Sequence, residues 1–210
     1  MMVDKYRTMG ELLTKTKQGD DWDIVTKEAT KPVIITAVHG GAIERGTSEL
    51  ADCLSDLGDY KYYTFKGVRK NKNHELHVTS RHFDEPKLHQ MIEDSQFAVS
   101  IHGCMGDKSE VYIGGRDLEL IASIKNELAN INIIVKDAPS HISGFHRDNF
   151  VNCCKREAGV QLELTVALRK SLFKNRKFTL SAREDKNNWD DLMYQFSEAI
   201  HNALTRCKVS

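Results

Sequence analysis

Val33-Ile34-Ile35-Thr36-Ala37-Val38-His39-Gly40-Gly41-Ala42-Ile43-Glu44 is the stretch on which the reading of this chain turns. Its first six residues are mostly apolar and β-branched, the composition of a buried strand. The strand runs straight into a histidine. Two glycines follow, and glycine takes positive φ without steric cost, so a sharp turn is expected there. Glu44 stands five residues after His39, a spacing that does not put two side chains on one helical face. A loop doubling back over the strand end would instead bring imidazole and carboxylate to one metal ion, given a third ligand from elsewhere.

The whole chain sets the bounds. Its 210 residues predict a single domain over residues 1–210 with a core of its own. Thirty basic residues balance thirty acidic ones, so no global field announces a nucleic-acid or membrane partner. No apolar run is long enough to span a bilayer. The start, Met1 to Thr16, lacks the apolar core of a secretory signal. Five cysteines, including the adjacent Cys153-Cys154, do not make a disulfide framework, and a cytoplasmic protein is expected. No CxxC or HExxH cluster occurs, so a metal site must gather ligands from distant segments.

Along the chain, Asp21 to Ala29 and Tyr60 to Val68 read as strands. Between them lies a helix capped by Thr47 or Ser48 and closed by Gly58. Leu76 to Ser80 alternates like another strand, and Pro86 opens a helix through Ile92. Phe97 to Ile101 is a second short apolar strand that delivers a histidine and a glycine, His102-Gly103. A glycine-rich loop then reaches Gly114-Gly115, followed by a helix over Arg116 to Asn130, a strand over Ile131 to Val135 and a loop over Pro139 to Asn149. Val160 to Val166 alternates strictly, and Trp189 to Cys207 carries one apolar helical stripe. Strands alternating with helices predict an α/β fold, an open, mixed, mostly parallel sheet with helices on both faces. Ligands in such sheets bind outside the carboxyl ends of the strands, where His39 and His102 both stand.

Catalytic zinc typically takes three ligands from His, Asp and Glu, and His39, Glu44 and His102 make such a set. Taken singly, each histidine is equally compatible with a turn-capping hydrogen bond. Glu163 falls on the polar side of its alternating strand. Inside the sheet it would be a general base beside the metal; on an edge strand it would lie on an ordinary wet face. Cys104 is a rival ligand that would close the coordination and make the zinc structural. The run Lys66 to Lys72 reads as a solvated loop or as a cradle for a polyanion.

The motifs His39-Gly40-Gly41-Ala42-Ile43-Glu44, Leu76-His77-Val78-Thr79-Ser80 with Phe83-Asp84-Glu85-Pro86, and Ser100-Ile101-His102-Gly103 resemble those of the poly-γ-glutamate hydrolase family of bacilli and their phages and prophages. Tyr112-Ile113-Gly114-Gly115, Asn149-Phe150-Val151-Asn152 and Gly159-Val160-Gln161-Leu162-Glu163-Leu164 complete the ordered set. The resemblance implies a zinc carboxypeptidase-like hydrolase that cuts the γ-amide bonds of poly-γ-glutamate or oligo-γ-glutamate, the polymer of bacterial capsules. It implies one Zn2+ on His39, Glu44 and His102, with zinc-activated water as nucleophile and Glu163 as catalytic base. Arg81, Arg116, Arg147 and Asn149 are the candidates for substrate binding. The protein is expected to act as a monomer, without nucleic acid or membrane, and to reach its polymer through host lysis. The alternatives are a zinc amidase acting on peptidoglycan or N-acyl amino acids, and a non-catalytic polyanion-binding protein with a structural zinc.

Overall fold

The computed structural model describes residues 4–207; both ends of the expected 1–210 domain lie outside them. In chain order it runs α1 (Met9–Lys15), β1 (Trp22–Lys27), β2 (Lys31–Gly41), α2 (Thr47–Gly58), β3 (Tyr60–Gly67), α3 (Pro86–Glu93), β4 (Phe97–Cys104) and β5 (Glu110–Gly115). α4 (Leu118–Asn130), β6 (Ile134–Asp137), β7 (Val160–Thr165), α5 (Val166–Ser171), α6 (Leu180–Glu184) and α7 (Asp191–Arg206) complete it.

The strands form one sheet in the order β1-β3-β2-β4-β7-β5-β6. β3, β2, β4 and β7 are mutually parallel, β1 and β5 pair antiparallel to their neighbours, and β6 runs parallel to β5. The expected mixed sheet is therefore present. β2, β4 and β7 are adjacent and point the same way, so His39, His102 and Glu163 emerge along one carboxyl edge.

The apolar periodicities are spent on two cores. Leu50, Leu54, Ile124, Leu128, Phe196 and Ile200 of α2, α4 and α7 pack on Ile35, Val99, Ile101 and Leu162. On the other face, Met9, Leu12, Leu88 and Ile92 of α1 and α3 cover Ile34, Val38, Phe65 and Ala98. Helices thus lie on both faces, as the pattern predicts. No helix among the described residues is long and apolar enough to cross a membrane.

Four local expectations need correction. Leu76 to Ser80 is not a strand but a link between two 3-10 turns, Asn73–Leu76 and Ser80–His82. Its alternation arises because Leu76 and Val78 are buried against the second core while the link crosses the strand ends. The glycine-rich loop before Gly114 contains β5, whose Gly114 and Gly115 pair with Gln161 and Val160 of β7. The strand expected over Ile131 to Val135 lies a little later, at β6, because α4 ends in a turn through Asn132 at positive φ. The N-cap of α2 is Gly46, at φ 94°, rather than Thr47 or Ser48. Ser48 is unavailable as a cap: its hydroxyl accepts from Gly41 N–H at 3.0 Å and pairs with Thr64 Oγ1 at 2.9 Å.

That pairing sets a steric limit on β2. A Cβ at Gly40 would overlap both Ser48 Oγ and Thr64 Oγ1, which are buried and already bonded. Gly40→Ala is expected to lower the unfolding free energy by about 1–3 kcal/mol, the usual cost of overpacking a filled interior. Urea unfolding of the two proteins checks this; equal midpoints would contradict it.

Candidate metal and hydrolytic site

The turn after β2 forms as its glycines predict. Gly41 lies at φ 64°, and the backbone curls so that Ile43 N–H donates to Gly40 O at 3.2 Å and Glu44 N–H to His39 O at 2.8 Å. The curl brings Glu44 back over the strand end. Its Oε1 is 3.2 Å from His39 Nδ1, and its Oε2 accepts from Gly103 N–H at 2.8 Å and lies 3.7 Å from His102 Nδ1. The two Nδ1 atoms are 3.2 Å apart.

His39 faces Glu44 Oε1 and His102 faces Glu44 Oε2, so the three groups surround one small space with donor types that suit a metal ion. Ligands bound tetrahedrally at about 2.0–2.1 Å stand roughly 3.3 Å from one another, close to the separations here. The outer nitrogens are also secured: His39 Nε2 donates to Val78 O at 2.8 Å, and His102 Nε2 lies 2.8 Å from Ser100 Oγ. The bond to Val78 leaves the Nδ1 lone pair of neutral His39 facing the cluster, as an outer hydrogen bond does for metal-binding histidines generally. Phe83 stands against His39 and Phe150 against His102, so apolar rings back both imidazoles.

The electrostatics of the cluster centre on the Glu44 carboxylate. Burial alone would raise Glu44, but His39, His102 and His77 beside it draw its carboxyl down to about 2. Burial pushes His39 down, yet the Glu44 charge and hydrogen bond and the Val78 carbonyl leave it raised overall. Burial holds His102 down to about 3, so it stays neutral, the form a metal requires.

Glu163 lies in register with His102 on the neighbouring strand and is buried. β7 is interior to the sheet, which removes the wet-edge reading. Burial, then repulsion from Glu44, pushes its carboxyl well above the usual range. Gln161 Nε2 donates to Glu163 Oε1 at 2.9 Å, and Asn149 Nδ2 donates to Gln161 Oε1 at 3.0 Å. Asn149 is thus buried behind Glu163 with its amide already used, rather than presented to a ligand.

The three arginines are placed differently. Arg81 is paired with Asp148 through contacts of 2.5–2.9 Å. Arg116 donates to Phe145 O at 3.4 Å and stacks on the Phe145 ring, and Arg147 is exposed. Cys104 donates its thiol to Glu163 O at 3.7 Å, and burial pushes that thiol up to about 11. A neutral thiol so engaged gives no support to the structural-zinc reading.

His77 and its partner Asp4 gave no separate signal in the sequence. His77 stacks on His39 at 4.0 Å between ring centroids, and its Nε2 lies 4.0 Å from Glu44 Oε1. Its Nδ1 is 2.7 Å from Asp4 Oδ1, and Asp4 Oδ2 accepts from both the N–H and the hydroxyl of Thr79 at 2.7 Å. Among the described residues, His39, Glu44 and His77 are the set in which one ligand atom from each lies within 4.8 Å of the others. Between the two candidates for the third ligand, His102 is closer to Glu44, fully buried and fixed by Ser100. His77 is about one-third exposed, at 36%. Its place in the sequence motif was visible, but assigning the segment to a strand hid its role.

Residues 6–199 match the family model described as poly-gamma-glutamate hydrolase. The protein YndL of Bacillus subtilis (strain 168) is 33% identical over 203 residues, covering 96% of this chain and 78% of YndL. A solved structure of a bacteriophage poly-gamma-glutamate hydrolase superposes with a TM-score of 0.93 at 32% identity, covering 98% of each chain. The zinc-free structure of YndL gives a TM-score of 0.90 at 31% identity, over 99% of this chain and 100% of that one.

The neutral burial of His102 has a measurable consequence in chelator-treated protein. Its pKa is near 6.5 unfolded and about 3 folded, so between those values the unfolded chain binds the extra proton. Stability contributed by neutral His102 is therefore present above pH 6.5 and is lost as pH falls towards 3. His102→Gln cannot take up that proton. Its unfolding free energy should fall less steeply from pH 6.5 to 4, by up to about 1.4 kcal/mol per pH unit. Parallel slopes in urea titrations would contradict the assignment.

Proposed function

The chain belongs to the poly-gamma-glutamate hydrolase family, and from that premise we propose that it hydrolyses the γ-amide bonds of poly-γ-glutamate as a zinc enzyme. The observation that carries the reading is the pair of His39 Nδ1 and His102 Nδ1, 3.2 Å apart, each facing one oxygen of the Glu44 carboxylate at 3.2 and 3.7 Å, with the outer nitrogens secured. These three residues would hold one zinc ion. When bound, zinc supplies a Lewis acid that polarises a carbonyl and acidifies water.

The remaining chemistry falls to the chain's own groups. Glu163 takes a proton from the attacking water and passes it to the leaving amine. Its buried surroundings raise its proton affinity, which suits the step in which it holds the proton taken from water, while the charge of a bound cation would oppose that rise and keep the resting carboxylate ionised. Gln161 holds one carboxyl oxygen, and Asn149 holds Gln161, so the base keeps one orientation. Phe83 and Phe150 exclude water from behind the imidazoles, which strengthens every charge interaction in front of them.

The polymer carries a carboxylate on every residue, and its contacts in this reading are Arg81, Arg116 and Arg147, with Arg81 exchanging Asp148 for substrate. The basic run supplies less than its composition suggests. Lys66 pairs with Glu184, and Arg69 pairs with Asp21 and Glu75. Lys70 and Lys72 are left as the exposed charges of that run.

Purified protein incubated with high-molecular-weight poly-γ-glutamate should shorten the polymer, and a chelator should stop it until zinc is restored. Glu163→Gln should lower turnover by roughly 10²–10⁴ while zinc stays bound. Near-normal turnover in that variant would remove Glu163 from the mechanism. Zinc stoichiometry separates the ligands: His102→Ala should lose the ion and His77→Ala should keep it.

Neutralising Lys70 and Lys72 together should raise KM for the polymer with kcat little changed, since contacts far from the scissile bond act on ground and transition states alike. An unchanged KM in steady-state assays would assign that loop no part in binding.

A further inference from the structure

Arg169, on α5, is 5% exposed, and among the described residues no carboxylate oxygen lies within hydrogen-bond range of its guanidinium. All three of its nitrogens donate to backbone carbonyls. Nε reaches Leu164 O at 3.1 Å, Nη1 reaches Arg45 O at 2.7 Å, and Nη2 reaches Cys104 O at 3.1 Å. Leu164 directly follows Glu163, Arg45 directly follows Glu44, and Cys104 is the second residue after His102. One planar group therefore bonds the three separate segments that carry the base and two of the metal ligands.

Gly103 shows how closely that group is seated. A Cβ at this position would lie 2.6 Å from Arg169 Cζ and Nε and 3.0 Å from Nη1, so the guanidinium packs flat against the residue that follows His102. The same residue donates its N–H to Glu44 Oε2 at 2.8 Å. Gly103 is thus held on one side by a ligand carboxylate and on the other by the arginine.

Three carbonyls converging on one point inside a protein need donors, because an unpaired carbonyl there loses its hydration without compensation. A lysine would bring a single nitrogen. A guanidinium brings donors at fixed angles in one plane, so it sets the mutual positions of the groups it bonds. Its positive charge also acts on Glu163 and Glu44 from behind, which eases the approach of two carboxylates to one small volume.

We propose that Arg169 is the positioning residue of the site: its guanidinium, bonded to the carbonyls of Arg45, Cys104 and Leu164, sets the spacing of Glu44, His102 and Glu163. The proposal rests on the reading of His39, Glu44 and His102 as metal ligands. Arg169 does not touch the substrate; it acts through the three backbones.

The test compares wild type with Arg169→Lys, which keeps the charge and loses the fork, and with Gly103→Ala, which keeps the arginine and displaces its guanidinium. Zinc affinity is read by competition with a chromophoric chelator, and folding of the metal-free proteins by near-ultraviolet circular dichroism. Both variants should fold when metal-free yet bind zinc about 10–100-fold more weakly, the usual effect of removing an outer-shell partner. In zinc-saturated protein, kcat should fall with KM for the polymer little changed. Folded variants that bind zinc as tightly as wild type and keep its kcat would overturn the proposal, even if their unfolding midpoints dropped, because that is what a purely structural brace predicts. Should Arg169→Lys fail to fold, Gly103→Ala decides by the same criteria. A wild type that binds no zinc would instead take down the ligand reading, and this proposal with it.

Discussion

The Glu44 carboxylate is the group on which the arrangement of the carboxyl edge depends. A negative charge lowered into a protein costs several kcal/mol unless it is paired and hydrogen-bonded. Here one oxygen faces His39, and the other takes the Gly103 N–H and faces His102. Those partners come from β2 and β4, so the charge is compensated only when both strands are in register and the loop after β2 has closed. Gly41 makes that closure affordable, because its φ of 64° is one that side-chain-bearing residues rarely adopt.

Much of this was legible in the sequence, and the legible part shares a physical cause. Val33 to Val38 and Phe97 to Ile101 read as strands because a strand covered on both faces leaves a near-continuous apolar run. A histidine and a glycine at the end of each run then marked the same edge of the sheet. The amphipathic helices were visible for the same reason, as their stripes record contact with one face. Glu163 could be narrowed only to two environments, since alternation in Val160 to Val166 is common to edge and interior strands. Its neighbours β4 and β5 decided the matter, and β5 itself was obscured by Gly114 and Gly115. Those glycines allow close approach to the backbones of Ser143 and Gly159 rather than marking a loop.

What the sequence concealed was contact between segments far apart in the chain. Leu76 to Ser80 alternates as a strand would, yet its Val78 carbonyl is committed to His39, thirty-nine residues away. Asn149 suggested a ligand-facing amide, but the structure uses it to hold Gln161, which holds Glu163. Arg169 gave no signal at all, because a single arginine on a short helix has no pattern to break. Each of these residues bonds to a backbone or to another outer group, and such roles depend on three-dimensional proximity that periodicity does not encode.

The two sides of the cluster are held with different firmness, and the difference follows from where the residues sit. His39, His102 and Glu163 are on interior strands, buried to 5% exposure or less, and each has one polar atom fixed by a hydrogen bond from outside the cluster. His77 lies on an irregular link outside the sheet and keeps about a third of its side chain exposed. Its restraint is Asp4, whose carboxyl burial would raise, but which His77 and Thr79 draw down to about 2 by hydrogen bonds. A carboxylate so strongly ionised holds His77 by charge-assisted bonding while leaving its outer face wet. A charge cluster that is to meet a ligand must be closed behind to protect its charges and open in front to admit it. The strand-borne residues meet the first requirement. His77, carried on the link and tied by a residue from the start of the chain, is the group of the cluster that stands on the open side.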